Sequence, residues 1–279
     1  MIVIGSRGSQ LALWQARHIA SLLKVETRIE IIKTTGDRIQ DVPLSQVGGK
    51  GLFTKEIEEA LLDHRIDLAV HSLKDMPSEL PAGLTLAAIP EREDPRDALL
   101  GGPLKDGARV GTSSLRRSVQ LKAMHRELSI ESLRGNVDTR LRKLDEGQYD
   151  TIVLAAAGLR RLGLADRISE LIPVDVMIPA VGQGALAVET RDDHGEAQQI
   201  AHTIEHHPSR LAITAERAFL AVFGGGCQVP IGAHATIKDS EIHLRAFVSN
   251  PDGTNARRGE QTGMDPLVVG ENLARKLFP

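Results

Sequence analysis

The only thiol of the chain lies in a glycine-rich stretch whose composition suits exposed chemistry. Cys227 is the single cysteine among 279 residues; it follows Gly224-Gly225-Gly226 and precedes Gln228-Val229-Pro230. Glycines open backbone conformations closed to other residues and allow close approach by other groups, while the proline stiffens the exit. A lone cysteine is ordinarily a small buried apolar residue. Here its position after a predicted helix, between Gly and Gln, indicates a sulfur presented for covalent attachment or nucleophilic attack.

A second candidate for chemistry is a short polar string that follows an apolar run. The residues after Leu68-Ala69-Val70 are His71-Ser72-Leu73-Lys74-Asp75-Met76-Pro77. In open α/β sheets, ligands bind beyond the carboxyl ends of the strands. Asp75 is compatible with turn chemistry before Met-Pro, and equally with a carboxylate that stabilises a cationic intermediate and moves a proton.

Arginines recur in the loops that join predicted strands to helices. The chain has 24 Arg to 10 Lys, and the guanidinium group suits two-point recognition of carboxylates and phosphates. Taken singly, each is compatible with a solvated surface charge. Together, beside Ser, Thr and Gly with exposed backbone N–H groups, they predict a site for an anionic ligand. These arginines are Arg7, Arg116, Arg117, Arg134, Arg140 and Arg161.

Two other patterns do not predict a site. Gly48-Gly49-Lys50-Gly51 lacks the Ser or Thr and the spacing of a nucleotide-binding P-loop. His202 and His206 are one helical turn apart, but no third metal ligand is evident and a solvated helix face explains them better. We therefore expect no metal.

The elements that must position these residues alternate between strand and helix, which is typical of parallel α/β sheets. A strand over residues 1–4 and a helix over 11–23 open the chain, and a similar unit begins at 109–111. In both units a polar loop with a capping Ser joins strand to helix: Gly5-Ser6-Arg7-Gly8-Ser9 and Thr112-Ser113-Ser114. The repetition predicts two similar lobes. Other predicted strands are at 27–32, 68–70, 130–132 and 151–155, with helices at 52–64 and 138–146.

The last part of the chain has a different pattern. Ser209 is predicted to cap a helix that runs to about residue 223, and strands are expected near 234–237, 242–248 and 256–262. Turn residues at 239–240 and 250–253 separate these strands. Asp265-Pro266 then has the cap and first-turn proline of a final helix.

Composition excludes several classes of protein. A net charge of -3 and a pI near 6.4 argue against a nucleic-acid partner, and 3% aromatic residues leave few stacking platforms for bases. One cysteine cannot form an internal disulfide. Neither a basic-then-apolar leader nor a membrane-spanning apolar run is present. These features predict a cytoplasmic enzyme with no membrane partner.

Several segments resemble the porphobilinogen deaminase (hydroxymethylbilane synthase) family, and they span nearly the whole chain. The Cys227 loop resembles that family's cofactor-attachment loop, and His71 to Pro77 resembles its catalytic loop. Ser-Arg-Gly-Ser-Gln-Leu-Ala-Leu-Trp-Gln-Ala near the start and Leu-Arg-Ala-Phe-Val-Ser-Asn-Pro-Asp-Gly near the end also match. Gln46 departs from the lysine that some members carry.

The resemblance implies an α/β fold with two lobes like those of periplasmic binding proteins. Each lobe would have a mainly parallel sheet, and crossing segments would join the two lobes. It also implies a smaller α+β C-terminal domain with an antiparallel three-stranded sheet. The expected domains are residues 1–91 with 183–207, residues 92–182, and residues 208–279. A monomer is expected.

The resemblance further implies a transferase of tetrapyrrole biosynthesis that condenses four porphobilinogens into hydroxymethylbilane with release of ammonia. Its dipyrromethane cofactor would be held by a thioether to Cys227, and Asp75 would be catalytic. The alternative function is a non-catalytic, two-lobed anion-binding protein, which would leave Cys227 without a purpose. The residues implied to bind cofactor and substrate carboxylates are Arg7, Ser9, Lys50, Ser72, Lys74, Thr112, Ser114, Arg116, Arg117, Arg134, Arg140 and Arg161.

Overall fold

The computed structural model describes residues 1–38, 51–224 and 229–278. Within these ranges the chain forms three sheets with helices packed against them. The helices are α1 (Gln10–Leu23), α2 (Thr35–Arg38), α3 (Lys55–Leu62), α4 (Leu115–Met124), α5 (Val137–Asp145), α6 (Ala156–Arg161), α7 (Glu196–His202), α8 (His207–Val222) and α9 (Pro266–Leu277). Short 3-10 turns lie at Leu73–Asp75 and Ala165–Arg167.

The first two sheets share one topology. In the first sheet the spatial order is β2-β1-β3-β10-β4, and in the second it is β7-β6-β8-β5-β9. The first contains β1 (Ile2–Ser6), β2 (Thr27–Ile31), β3 (Leu68–Ser72), β4 (Leu84–Ala88) and β10 (Leu186–Arg191). The second contains β5 (Asp97–Gly101), β6 (Arg109–Gly111), β7 (Ser129–Glu131), β8 (Thr151–Ala155) and β9 (Glu170–Ile172). We call the first sheet with α1–α3 and α7 lobe 1, and the second with α4–α6 lobe 2. The prediction of two similar lobes is confirmed.

Each sheet has one reversed strand in its fourth position. Strands β1, β2 and β3 pair in parallel, whereas β10 runs antiparallel to β3 and β4. Likewise β6 is parallel to β7 and β8, whereas β5 is antiparallel to β8 and β9. Both reversed strands directly follow a crossing segment between the lobes, 89–96 before β5 and 173–185 before β10. A chain that arrives from the other lobe enters at the edge where the parallel strands end, so it must run against them.

The third sheet is antiparallel and belongs to a smaller C-terminal domain with α8 and α9. It contains β11 (Ile231–Lys238), β12 (Glu241–Val248) and β13 (Arg257–Gly263) in sequence order. Asp239 and Ser240 both have positive φ (50° and 66°) in the two-residue turn between β11 and β12, as tight hairpins require. Phe219, Leu244 and Leu273 are fully buried between the sheet and its helices.

The predicted helix caps are correct except one. Ser9 accepts a hydrogen bond from the Ala12 amide, Ser114 from the Arg117 amide, and Asp265 from the amides at the start of α9. The prediction that Ser209 caps a helix is wrong, because α8 begins two residues earlier at His207. The Ser209 hydroxyl instead accepts from the backbone N–H of Arg92, at 3.0 Å.

Buried Glu216 of α8 joins both crossing segments to the C-terminal domain. Its carboxylate pairs with Arg92 of the first segment at 2.5 Å and accepts from the Gly182 amide of the second at 2.8 Å. It also accepts from the Ala235 amide of β11 at 2.8 Å.

Among the described helices, none combines the length and the apolar character needed to span a membrane.

Candidate functional site

The described site residues predicted from the sequence lie where parallel strands of the two lobes end. This edge is where open α/β sheets bind ligands. In lobe 1, Arg7 and Ser9 follow β1, while Ser72, Lys74 and Asp75 end or follow β3. In lobe 2, Thr112, Ser114, Arg116 and Arg117 follow β6, Arg134 and Arg140 follow β7, and Arg161 follows β8. Three further residues singled out in the sequence, Lys50, Gln46 and Cys227, lie outside the described residues.

Asp75 is an exposed carboxylate on a well-supported turn. It is the last residue of the 3-10 turn Leu73–Asp75, whose first side chain is buried. The Leu73 amide donates to the Ala185 carbonyl at 3.1 Å, and the Met76 amide donates to the Leu73 carbonyl at 3.1 Å. The backbone on both sides of Asp75 is therefore held while its carboxylate remains accessible.

Lys74 is influenced by charges of both lobes. Lys74 is exposed to solvent, yet the protein atoms that surround its ammonium group lower its pKa to about 8 by partial desolvation. Asp75 and Asp97 favour the ammonium form, whereas Arg117 and Arg116 disfavour it. The structure thus brings Lys74 and Asp75 of lobe 1 close to the arginine pair of lobe 2.

The lowered pKa of Lys74 predicts an upper pH limit for the binding of an anionic ligand. Below pH 8 its ammonium can pair with a carboxylate, and above pH 8 it becomes a neutral amine. We expect kcat/KM for an anionic substrate to fall as pH rises through about 8, because this ratio reports ionisation of the free enzyme. Lys74→Arg should move the fall to higher pH, since arginine stays protonated. Any titration of the substrate is the same for both proteins, so identical pH profiles would contradict this role for Lys74.

Arg140 belongs to the same group of charges. Its pKa is lowered to about 10, mainly by burial and also by Arg117 and Arg134, while Asp75 opposes the shift. Its Nε donates to the Gly135 carbonyl at 2.7 Å. Among the described residues, the charges that act on the pKa values of Lys74 and Arg140 include three cations, Arg116, Arg117 and Arg134, and two carboxylates, Asp75 and Asp97. This excess of positive charge suits a ligand with several carboxylates.

Arg116 and Arg117 are paired with a carboxylate of the protein. Asp97, the fully buried first residue of β5, accepts from Arg116 Nη1 at 2.7 Å and from Arg117 Nη2 at 2.7 Å. Arg116 Nη1 also donates to the Ile178 carbonyl at 2.9 Å, and Arg117 Nη1 to the Val153 carbonyl at 3.0 Å. Burial acts to raise the pKa of Asp97, but the two arginines outweigh it and hold the pKa well below its usual range. The pair is thus preorganised, with part of its hydrogen-bonding capacity already used.

Sequence reasoning missed Asp97. The predicted limits place Asp97 in the second domain, residues 92–182, but the sequence analysis assigns it no role. A usable signal was present, because Asp97 directly precedes the apolar run Ala98-Leu99-Leu100. A carboxylate at the start of a buried strand needs cationic or hydrogen-bonding partners.

Asp97→Asn is expected to lower the free energy of unfolding by about 3–5 kcal/mol, because removing one member of a buried ion pair leaves uncompensated charge. Urea denaturation monitored by circular dichroism would measure the loss. The control is Asp150→Asn, which breaks the exposed pair with Arg109; water screens such pairs, so its effect should be much smaller. Equal losses in both variants would show that the Asp97 cluster contributes little to stability.

Arg7 and Arg161 contact other parts of the site. Arg7 pairs with Asp37 at 2.5 Å and lies over the Phe53 ring at 4.2 Å. Burial acts to raise the pKa of Asp37, but hydrogen bonds from Arg7 and Thr34 outweigh it and lower the pKa. Arg161 donates to the Gly184 carbonyl of the second crossing segment at 2.7 Å. Burial lowers its pKa to about 10, with Glu93 opposing.

The four predicted hydroxyl groups all accept hydrogen bonds from other groups of the protein. Ser9 and Ser114 cap helices, Ser72 accepts from Gln15 Nε2 at 2.8 Å, and Thr112 accepts from the Ser114 amide at 3.2 Å. A hydroxyl that accepts still has its own O–H to donate. Each of these groups can therefore be oriented by the fold and donate to an anion.

The chain matches two family models that together span most of its length. "Porphobilinogen deaminase, dipyromethane cofactor binding domain" matches residues 2–199, and "Porphobilinogen deaminase, C-terminal domain" matches residues 210–279. Over the residues that the structure describes, no group of three or more His, Cys, Asp or Glu side chains is arranged to hold a metal ion.

The solved structures that match this chain include a substrate binding domain and a lipoprotein. The second substrate binding domain of a putative amino acid ABC transporter from Streptococcus pneumoniae is 12% identical, with a TM-score of 0.44 over 81% of this chain and 96% of that chain. A YaeC family lipoprotein from Enterococcus faecalis is 13% identical, with a TM-score of 0.42 over 73% of this chain and 90% of that one. At these scores the likeness supports no conclusion about function, and the two-lobed fold follows from the sheet order itself.

Similar proteins of known name extend over nearly the whole chain. Those from Syntrophomonas wolfei, Brevibacillus brevis and Roseiflexus sp. are 50%, 51% and 54% identical, over 99% of this chain and 94%, 93% and 95% of theirs. Each is named porphobilinogen deaminase. Because both family models and these full-length relatives agree, the chain belongs to the porphobilinogen deaminase family.

Proposed function

We propose that this chain condenses four porphobilinogens head to tail into hydroxymethylbilane, with one ammonia released per porphobilinogen. The observation that carries the proposal is the exposed carboxylate of Asp75, which lies on a hydrogen-bonded turn close to the cations of both lobes. Membership of the family makes the chain a transferase of tetrapyrrole biosynthesis that uses a dipyrromethane cofactor. A non-catalytic anion-binding protein would need the cations but not the carboxylate among them.

The excess of positive charge fits the cofactor and the substrate. Each pyrrole ring of these molecules carries an acetate and a propionate arm, and each added ring brings two more carboxylates. Arginine forks bind such groups with two parallel hydrogen bonds. We assign carboxylate binding to Arg7, Ser9, Lys50, Ser72, Lys74, Thr112, Ser114, Arg116, Arg117, Arg134, Arg140 and Arg161.

Asp75 has the catalytic role in this proposal. Loss of ammonia turns the substrate into a cationic azafulvene, and a fixed carboxylate stabilises that charge as it develops. The same group can accept hydrogen bonds from pyrrole N–H groups and transfer a proton. Lys74 and Arg140, whose pKa values are lowered within the site, would hold the carboxylate arms while Asp75 acts on the ring.

We assign cofactor attachment to Cys227 through a thioether. A soft sulfur nucleophile suits capture of a carbon electrophile. When bound, the cofactor supplies a nucleophilic pyrrole carbon and keeps the growing chain anchored to the protein. By sequence, Cys227 follows α8 and precedes β11 of the C-terminal domain.

We also propose the domain limits and the setting of the protein. Residues 1–91 with 183–207, residues 92–182, and residues 208–279 form the three domains; the sheet memberships of β10 and β11 are consistent with these limits. The protein acts as a cytoplasmic monomer on porphobilinogen, without a nucleic-acid or membrane partner. Size-exclusion chromatography with light scattering would test the monomer.

Turnover of porphobilinogen tests the function directly. Purified protein should release one ammonia per porphobilinogen consumed and form one hydroxymethylbilane per four substrate molecules. An anion-binding protein would bind porphobilinogen in calorimetry but release no ammonia. That second result would overturn the proposed activity.

A further inference from the structure

One face of α8 contacts lobe 1 through residues spaced by helical turns. Arg210, Ile213 and Arg217 are three and four residues apart, so their side chains lie along one side of the helix. Arg210 donates to the Leu86 carbonyl of β4 at 3.0 Å. Of the next two residues of this stripe, Ile213 packs against the turn that carries Asp75 and Arg217 contacts the segment after it.

Ile213 packs under that turn. It is fully buried in a cluster that includes Leu73 and Met76, which are 1% and 6% exposed. These two residues flank Lys74 and Asp75 in the sequence. The apolar contact fixes both ends of the segment that presents the catalytic carboxylate.

Arg217 holds the backbone immediately after the turn. Its Nη2 donates to the Pro77 carbonyl at 2.9 Å and to the Ser78 carbonyl at 2.8 Å. Partly buried carbonyls outside helices and strands need a donor from elsewhere in the fold. Burial lowers the pKa of Arg217 and the nearby Glu189 carboxylate opposes this, yet no ordinary pH removes its charge.

We infer that Arg217 is a positioning residue for the Asp75 carboxylate, an inference that rests on the proposed function. Its guanidinium connects the segment two and three residues after Asp75 to α8 of the C-terminal domain. By sequence, α8 continues directly into the stretch that contains Cys227. Helix α8 therefore fixes the position of the catalytic turn relative to the domain that would carry the cofactor.

The size of the effect follows from the sensitivity of catalysis to geometry. A displacement of about 1 Å in a reacting group can cost roughly 10²-fold in rate. Without Arg217, the loop loses two hydrogen bonds but keeps the apolar contact of Ile213. We expect the turn to persist with a looser carboxylate rather than to unfold.

The test compares Arg217→Met with Arg210→Met. Each change removes an arginine on the same face of α8, and each of these arginines donates to a backbone carbonyl of lobe 1. Of the two, only Arg217 contacts the Asp75 segment. We expect kcat for porphobilinogen to fall about 10–100-fold in Arg217→Met, with KM within about threefold and cofactor mass retained. Arg210→Met should lose thermal stability but keep kcat. Arg217→Lys should recover part of the rate because its ammonium can still donate to a carbonyl.

Amide hydrogen exchange gives a readout that does not need turnover. The peptide covering residues 73–78 should exchange faster in Arg217→Met than in wild type or Arg210→Met. Equal kcat in the two methionine variants, or unchanged exchange over 73–78, would overturn the role of Arg217. A wild-type protein without activity would overturn the proposed function instead. The exchange comparison would still test whether Arg217 holds the segment after Asp75.

Discussion

Cys227→Ala is expected to abolish the covalent cofactor and the activity together. Alanine has no nucleophile, and the chain contains no other cysteine to replace the lost sulfur. Intact mass spectrometry should show wild-type protein heavier than its sequence mass by one dipyrromethane, and Cys227→Ala at its sequence mass. Ammonia release from porphobilinogen should fall to background in the variant.

Two controls separate loss of attachment from loss of folding. Cys227→Ser preserves the size and polarity of the side chain but offers a harder and weaker nucleophile, so it should also lack the cofactor. Circular dichroism and thermal melting would establish that both variants fold. In addition, the wild-type thiol should resist alkylation under denaturing conditions because its sulfur is already bonded. A wild-type protein of unmodified mass with full activity would refute attachment at Cys227.

Asp75→Asn is expected to retain the cofactor and lose about 10²-fold or more in kcat, the usual cost of removing one preorganised charged group from a reacting centre. Asparagine keeps the shape and some hydrogen bonding to pyrrole N–H groups, but it neither balances the azafulvene cation nor carries a proton. Cofactor attachment has to be completed only once per protein molecule, so it tolerates slow chemistry. Single-turnover kinetics together with intact mass would measure the two effects separately.

The matched control is Glu79→Gln, which removes a negative charge from an exposed residue in the same segment of the chain. It should leave kcat nearly unchanged, so that a loss in Asp75→Asn cannot be ascribed to net charge. If Asp75→Asn released ammonia at a near-normal rate, Asp75 would be only a turn residue. The next acidic candidates are already engaged, since Asp37 pairs with Arg7 and Asp94 with Arg96.

Much of the local architecture could be predicted from the sequence. The caps by Ser9, Ser114 and Asp265 and the hairpin turn at Asp239-Ser240 are present as predicted. These features depend on residues within a few positions of one another, whose hydrogen bonds and backbone preferences act wherever the segment is placed. The resemblance likewise predicts roles for the Cys227 and Asp75 segments, because their motifs are continuous in the sequence.

The contacts that join distant segments were decided by the tertiary structure. Asp97 meets Arg116 and Arg117 across 19 and 20 residues, and Arg217 meets Pro77 across 140. Ser209 was predicted as a cap, yet its hydroxyl accepts from Arg92, 117 residues away. The lowered pKa of Lys74 similarly arises from tertiary packing, mainly through desolvation by the surrounding protein and in smaller part through Arg117 and Arg116 of the opposite lobe. Periodicity and turn chemistry specify which segments form strands and helices. Which charged side chains are buried together depends on how the crossing segments and the lobes pack. No local sequence pattern contains the packing of distant segments.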